Sequence, residues 1–409
     1  MIYQYKNEQE NEKVPPALRG EQAGNFRIKS NFFIRRFLMK FSCEKSQLSE
    51  AINNVLPAVS NKSTLVALEG ILIDCKHNAL TLTSYNLELG ISKTLDVKTE
   101  EEGAVILNAS LLSNIVNKMP NGTVTISCDE KLLTVISCED VEFTILGIDS
   151  AEFPDLPAID NGTTFSLPVF LLRNMISQTL FAVAQNDQNP VHTGSLFDLA
   201  NGVLNVVSVD GYRLAMRTEK INNQDTMKFV VPGKTLSEIV KLLSKVNAEK
   251  EEEEIELSVS KKHICFSVNG YTMVSRLLEG EFINYKNAIP KESLTNVRID
   301  TKAFLDSINR ASVIINERAK SHIRCSFMEG EVKLFCETPL GKINDSVAIE
   351  CDGPEVVIGF NNRYMADALK ASECDKLCIQ MNGPISPMKI VPVEDDNFLF
   401  LVLPVRLKN

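Results

Sequence analysis

Apolar and polar positions alternate from Met39 through Lys40, Phe41 and Ser42 to Cys43, which predicts a half-buried strand. Leu48 and Ile52 follow one helical turn apart, so a helix comes next. The same order returns twice: Phe165 and Leu167 lead to Leu172 and Ile176, and Val297 and Ile299 lead to Phe304 and Ile308. All three sets share the offsets 0, 2, 7 and 11. A second strand and amphipathic helix also recur in order. Val105 to Leu107 precede Leu112, Ile115 and Val116; Phe229 to Val231 precede Leu236, Ile239 and Val240; Ile358 to Phe360 precede Met365, Ala368 and Leu369. Between these helices lie alternating strands at Leu80–Leu82, Leu204–Val206 and Val332–Leu334.

The unit is therefore about 125 residues long, and three copies fill the chain from Met39 onward. The expected division is 39–161, 162–293 and 294–409, with connectors near 153–163 and 284–296. The fold class is α+β: three tandem similar domains, each with two helices packed on antiparallel sheets. Units this long exceed solenoid repeats and can each hold a core. Similar domains joined head to tail with a constant rotation curve, and two such arcs can close into a twofold ring.

Residues 1–38 stand apart. They carry seven Lys or Arg against four Glu, without sustained periodicity, and read as a disordered upstream extension, the rival reading being a basic arm on DNA. Within the 409 residues the formal net charge is −10, which leaves −13 for residues 39–409. A total this acidic argues against a nucleic-acid binder, since phosphate neutralisation calls for surplus Lys and Arg. No apolar run is long enough to span a membrane, and Arg35 and Arg36 interrupt the only candidate leader core. Ten scattered cysteines, none in a CxxC pair, read as small buried hydrophobes in a reducing cytoplasm. With four separated histidines, neither metal nor cofactor is expected.

Catalytic motifs fail on inspection. Gly233-Lys234-Thr235 ends like a phosphate loop, but Lys228 stands where that loop needs glycine and Pro232 precedes it. Asp210-Gly211-Tyr212-Arg213 reads more simply as a turn than as a catalytic Asp–Arg pair. His192 with Asp187 lacks a nucleophile, and Glu249–Glu256 reads as a solvated hairpin end. No enzyme is expected. Basic residues, by contrast, fall on helix faces opposite the apolar ones: Arg173 beside Asn174, Ser177 and Gln178; Lys241 and Lys245; Asn309 and Arg310. Such faces are either ordinary solvated surface or a lining that tracks phosphates without reading bases.

Met39-Lys40-Phe41, Ser208-Val-Asp-Gly-Tyr-Arg-Leu214 and Leu403-Pro-Val-Arg-Leu407 resemble the bacterial sliding-clamp family, the beta subunits of DNA polymerase III. Glu152-Phe-Pro-Asp155 and Glu279-Gly-Glu-Phe282, with Tyr285 and Ile289-Pro290, fit the same family across 39–409. The resemblance implies a head-to-tail homodimeric ring, helices lining the hole and sheets outside, through which duplex DNA passes. It implies a processivity factor that tethers the polymerase III alpha subunit and clamp-loader subunits by their short linear motifs. The competing reading is a repeat-built interaction scaffold that does not encircle DNA.

By that resemblance Lys62 corresponds to a DNA-touching position, with Arg173, Lys234, Lys241, Lys245 and Arg310 as further candidates from helix phase. The partner-peptide groove would comprise Val209, Gly211, Tyr212, Arg213, Leu214, Phe282, Leu403, Pro404, Val405, Arg406 and Leu407. His192, Ile283 and Asn287 depart from the enterobacterial leucine, proline and arginine, and Lys408-Asn409 run past the usual terminus. Phe143 and Ile145 would face Val313 and Ile314 across the dimer seam.

Overall fold

A computed structural model describes residues 37–407, apart from 160–161, 187, 246–252 and 316–321. The N-terminal extension, Asp187, most of the acidic run before Glu253, and Lys408-Asn409 therefore lie outside the described residues. Each predicted strand–helix pair forms. The six helices are α1 (Lys45–Val55), α2 (Ala109–Lys118), α3 (Val169–Leu180), α4 (Gly233–Leu243), α5 (Thr301–Ser312) and α6 (Asn362–Ser372). They pack in pairs, α1 on α2, α3 on α4 and α5 on α6, against the strands of their own repeat.

The apolar residues that set the repeat form the core. Leu48, Ile52, Leu172, Ile176, Phe304 and Ile308 are fully buried, each removing side-chain surface that contributes about 1.5–3 kcal/mol. Helix starts are fixed locally: Asn108, Asp300 and Asn361 accept backbone N–H groups of the first turn. Six of the ten cysteines are buried as expected, burial pushing the Cys325 thiol well up and the Cys43 thiol to about 12, whereas Cys265, Cys351, Cys374 and Cys378 are only half-buried.

The sheets are continuous across repeats, a feature that local patterning does not reveal. Strand Leu89–Asp96 of the first repeat pairs with Tyr271–Arg276 of the second, Ile91 facing Met273. Strand Arg213–Lys220 of the second pairs with Phe398–Val402 of the third, Ala215 facing Phe400. These two seams merge the strands into an eight-stranded and a twelve-stranded sheet, beside a five-stranded one. Both seams carry the same terminal hydrogen bond: Arg276 N–H donates to the Glu88 carbonyl at 2.8 Å, and Leu403 N–H to the Tyr212 carbonyl at 2.9 Å.

The first seam is sealed by the chain itself. Gly90 leaves a notch in which a Cβ would come within 2.4 Å of Leu156 Cδ2, so the connector side chain occupies that space. The position matching Gly90 at the second seam is Leu214, opposite Leu401. Two strand edges of the same type remain open among the described residues. Val141–Leu146 pairs on one side only, with Leu133–Cys138. Gly341–Ala348 pairs with Glu331–Val332 and the residues after them, while its far side is engaged only from Ile349 onward.

Two sequence expectations change. Helix phase places Gln178 outward, but it is 6% exposed and its Nε2 donates to the Ser372 carbonyl, because the third repeat covers that face of α3. Glu254 and Glu256 belong to a strand paired with Pro168 and Ser166 rather than to a hairpin end.

Candidate functional site: a groove at the second seam

The groove is built on the hairpin joining Val203–Val209 to Arg213–Lys220. Asp210 Oδ1 accepts the N–H groups of Tyr212 and Arg213, closing the turn, and Gly211 sits at φ +84°, where a side chain would be strained. This lifts Tyr212 to 61% exposure, stacked against Tyr364 of α6 with centroids 5.9 Å apart. Val209, before the turn, is buried in the sheet.

Behind the turn lies a small apolar cluster of Leu196, Val207, Leu214, Val230, Leu399 and Leu401, capped by Tyr285 and flanked by Phe282. His192 stands edge-on to Phe282 at 5.6 Å, and Ile283 is exposed beside it. Tyr285 donates its hydroxyl to Asp198 Oδ2 at 2.8 Å; burial and that carboxylate together push its ionisation up. Asn287 is exposed in the same segment.

Beyond Tyr212 the floor continues into a cavity of about 830 Å³ lined by Val357, Pro384, Ile385, Pro387 and Leu403 to Leu407, with Arg324 and Arg406 at its margin. The C-terminal residues reach it because Val405 bonds back to Gly359 at 2.8 Å. So His192, Phe282 and Leu214 meet around one apolar cluster, and Tyr212 meets Leu403 at the head of the Leu403–Leu407 segment, through elements far apart in sequence. Tyr364, Ile385, Pro384, Pro387 and Val357 were not anticipated. Ile385, 82% exposed in a loop between two strands, comes like the other four from the third repeat.

Arg213 does not sit on the rim. It is 9% exposed, its Nε donating to Asp210 Oδ2 at 2.9 Å and its Nη1 to Asp367 Oδ2 at 2.7 Å, with the guanidinium over the rings of Tyr364 and Phe181. The sequence reading of Arg213 as a rim contact gives way to a buried link between repeats.

The helices differ in charge from the chain as a whole: nine Lys or Arg against four Asp or Glu within their bounds. Lys62, Lys234, Lys241, Lys245 and Arg310 are exposed, and Arg173 is half-buried. Some are held by neighbours, Lys241 by Glu238 at 2.7 Å, Arg310 by Asp345, and Lys245 by Asn54. At the two open edges, Phe143 is 39% exposed, Leu146 71%, Val313 81% and Leu340 73%, whereas Ile145 and Ile314 are half-buried. No described helix is long and apolar enough to cross a membrane.

Family models for the DNA polymerase III beta subunit match in chain order: its N-terminal domain over residues 39–157, its central domain over 166–284 and its C-terminal domain over 286–406. A beta sliding clamp from Halalkalibacterium halodurans is 32% identical over 383 residues, covering 90% of this chain and all of the relative. The Bacillus subtilis beta sliding clamp is 31% identical over 381 residues with the same coverage. Among solved structures, a DNA polymerase III beta subunit from Eubacterium rectale superposes with TM-score 0.84 at 36% identity, covering 90% of this chain and 99% of that one. The Bacillus subtilis DNA polymerase sliding clamp gives 0.86 at 30%, covering 90% and 100%.

Proposed function

Because the chain belongs to the DNA polymerase III beta-subunit family, the bacterial DNA sliding clamps, we propose that its working form is a head-to-tail homodimeric ring. Sliding clamps are processivity factors rather than enzymes. The ring encircles duplex DNA without reading sequence and tethers the polymerase III alpha subunit and the clamp loader. The setting is the bacterial cytoplasm, where replication takes place.

The observation that carries this reading is the pairing rule of the two internal seams. Ile91, Ala215 and Ile343 hold the same hairpin position, opposite Ser84, Ser208 and Cys336. Met273, Phe400 and Phe143 likewise correspond, opposite Phe266, Ile390 and Ile136. Applying the internal register to the open edges sets Phe143 of one copy against Ile343 of another. Glu88 and Arg276, then Tyr212 and Leu403, become Leu340 and Leu146, which are 73% and 71% exposed, with a Leu146 N–H bond to the Leu340 carbonyl. Two such seams close a ring of six domains. The sequence pairing of Phe143 and Ile145 with Val313 and Ile314 remains compatible, α5 ending beside that edge.

Topology then explains an acidic DNA-binding protein. A closed ring is retained without tight contacts, and weak contacts permit sliding. Lys62, Lys234, Lys241, Lys245, Arg173 and Arg310 supply phosphate contacts on the helix side, in competition with Glu238 and Asp345. The groove of Tyr212, Leu214, Phe282, Ile283, His192 and Leu403–Leu407 takes the apolar anchors of partner peptides, with Arg406 for polar contacts.

The test is retention on DNA. Clamps loaded onto nicked circular DNA are expected to stay bound through gel filtration and to be lost once the circle is cut. Equal retention on circular and linear DNA would favour the scaffold reading. For the lining, Lys62→Glu with Lys234→Glu is expected to lower loading and to flatten the salt dependence by roughly one logarithmic unit per lost contact. An unchanged salt slope would remove these residues from the lining.

A further inference from the structure

The turn that presents Tyr212 is built three times in this chain, which supplies an internal control. In each, a side chain accepts the N–H two residues on: Asn86 from Glu88 at 3.1 Å, Asp210 from Tyr212 at 2.9 Å, and Thr338 from Leu340 at 3.1 Å. The turn therefore forms without further help. What differs is the residue at the turn's end, which is Leu89, Arg213 or Gly341.

Of these three, only Arg213 forms an ion pair with another repeat. It spans from Asp210, the turn's own cap, to Asp367 on α6, with N···O distances of 2.9 and 2.7 Å. Asp367 lies three residues beyond Tyr364, the ring on which both Arg213 and Tyr212 stack. One helix thus supplies the stacking partner of Tyr212 and the anion that holds the turn beneath it. At the first seam the residue matching Asp367 is Glu238, two positions after the corresponding core residue (Leu236 against Met365). Glu238 faces no arginine there and accepts from Lys241 instead. The link is present at the seam that carries the groove and absent from the one that does not.

We propose that Asp367 is a positioning residue for partner-peptide binding, acting through Arg213 to hold Tyr212 at a fixed angle against Tyr364. This rests on the groove reading above. Asp367 itself need not touch the peptide; its carboxylate orients the guanidinium, and the guanidinium orients Asp210 and the turn. A pre-set aromatic wall binds with less ordering cost than one that must be assembled.

The probe is a fluorescein-labelled peptide copied from the clamp-binding segment of the polymerase III alpha subunit, titrated with the full-length chain. Asp367→Asn keeps the shape and removes the charge, and is expected to weaken the peptide about tenfold. In a Tyr212→Ala background the same change is expected to add nothing, since the residue acts through Tyr212. Arg213→Lys, which keeps the charge without the two-pronged reach, is expected to behave like Asp367→Asn. The chain has no tryptophan, so Tyr212→Trp gives a single reporter whose anisotropy should fall when Asp367→Asn is added. Wild-type affinity in Asp367→Asn, or a loss that persists in full without Tyr212, would overturn the proposal and leave the groove intact. A wild-type chain that does not bind the peptide would overturn the groove reading and this proposal with it.

Discussion

Leu146→Asp is expected to convert the ring into monomers. Leu146 is 71% exposed on the open edge of its sheet, so the single chain should fold normally and the penalty should fall on association. Each ring has two such seams, so one substitution acts twice. Losing the burial of a leucine at both costs about 3–6 kcal/mol, roughly 10² to 10⁴ in the dimer constant, before any cost of desolvating the carboxylate. Sedimentation velocity across a concentration series would read this directly, and retention on circular DNA should vanish in parallel. A control at the corresponding internal position, Arg276→Asp, leaves the covalent chain to hold its seam and should not change the oligomer. A Leu146→Asp dimer as tight as wild type would mean that the inter-copy register does not follow the internal one.

The second large effect is expected at Tyr212. A tyrosine that is 61% exposed, stacked on a second aromatic ring and set beside an apolar cluster has the features of an interface anchor. Tyr212→Ala is expected to weaken a partner peptide by at least about 2 kcal/mol, roughly thirtyfold. Fluorescence anisotropy with a labelled peptide measures it, and sedimentation should still find the dimer. Arg213→Ala would be a poorer probe. It leaves Asp210 and Asp367 without their shared partner and so perturbs the seam together with the groove. Unchanged peptide affinity in Tyr212→Ala would move the binding site away from this turn.

The repeat was legible because it is written in local spacing. Phe41 and Cys43, with Leu48 and Ile52, show their inward side in the alternation and helical phase of their own strand and helix, so local spacing suffices to find them. The seams were not legible, since Ile91 opposite Met273 joins residues whose pairing depends on how whole repeats dock. The same cause explains the misread residues. Gln178 and Arg213 look outward when their own helix or hairpin is considered alone, and the third repeat then covers both. The groove was half legible: the turn and the terminal strand announced themselves as motifs, whereas Tyr364, Ile385 and Pro387 come from the third repeat and carry no local mark. The candidate lining cations other than Lys62 could be named from helix phase, but their competition with Glu238 and Asp345 could not, since Asp345 comes from a strand 35 residues beyond Arg310.

The Gly90 notch has a consequence for valency. Leu156 already fills at the first seam the space that corresponds to the groove floor, and charged Arg276 and Glu88 stand where Leu403 and Tyr212 stand at the second. On the proposed groove reading, a threefold-repeated chain therefore offers one binding site, not several equivalent ones. A closed ring carries two, on opposite halves, so its stoichiometry with single-motif partners is two per ring. Two different proteins can then be held on the same DNA at once, and a third must wait for a vacancy.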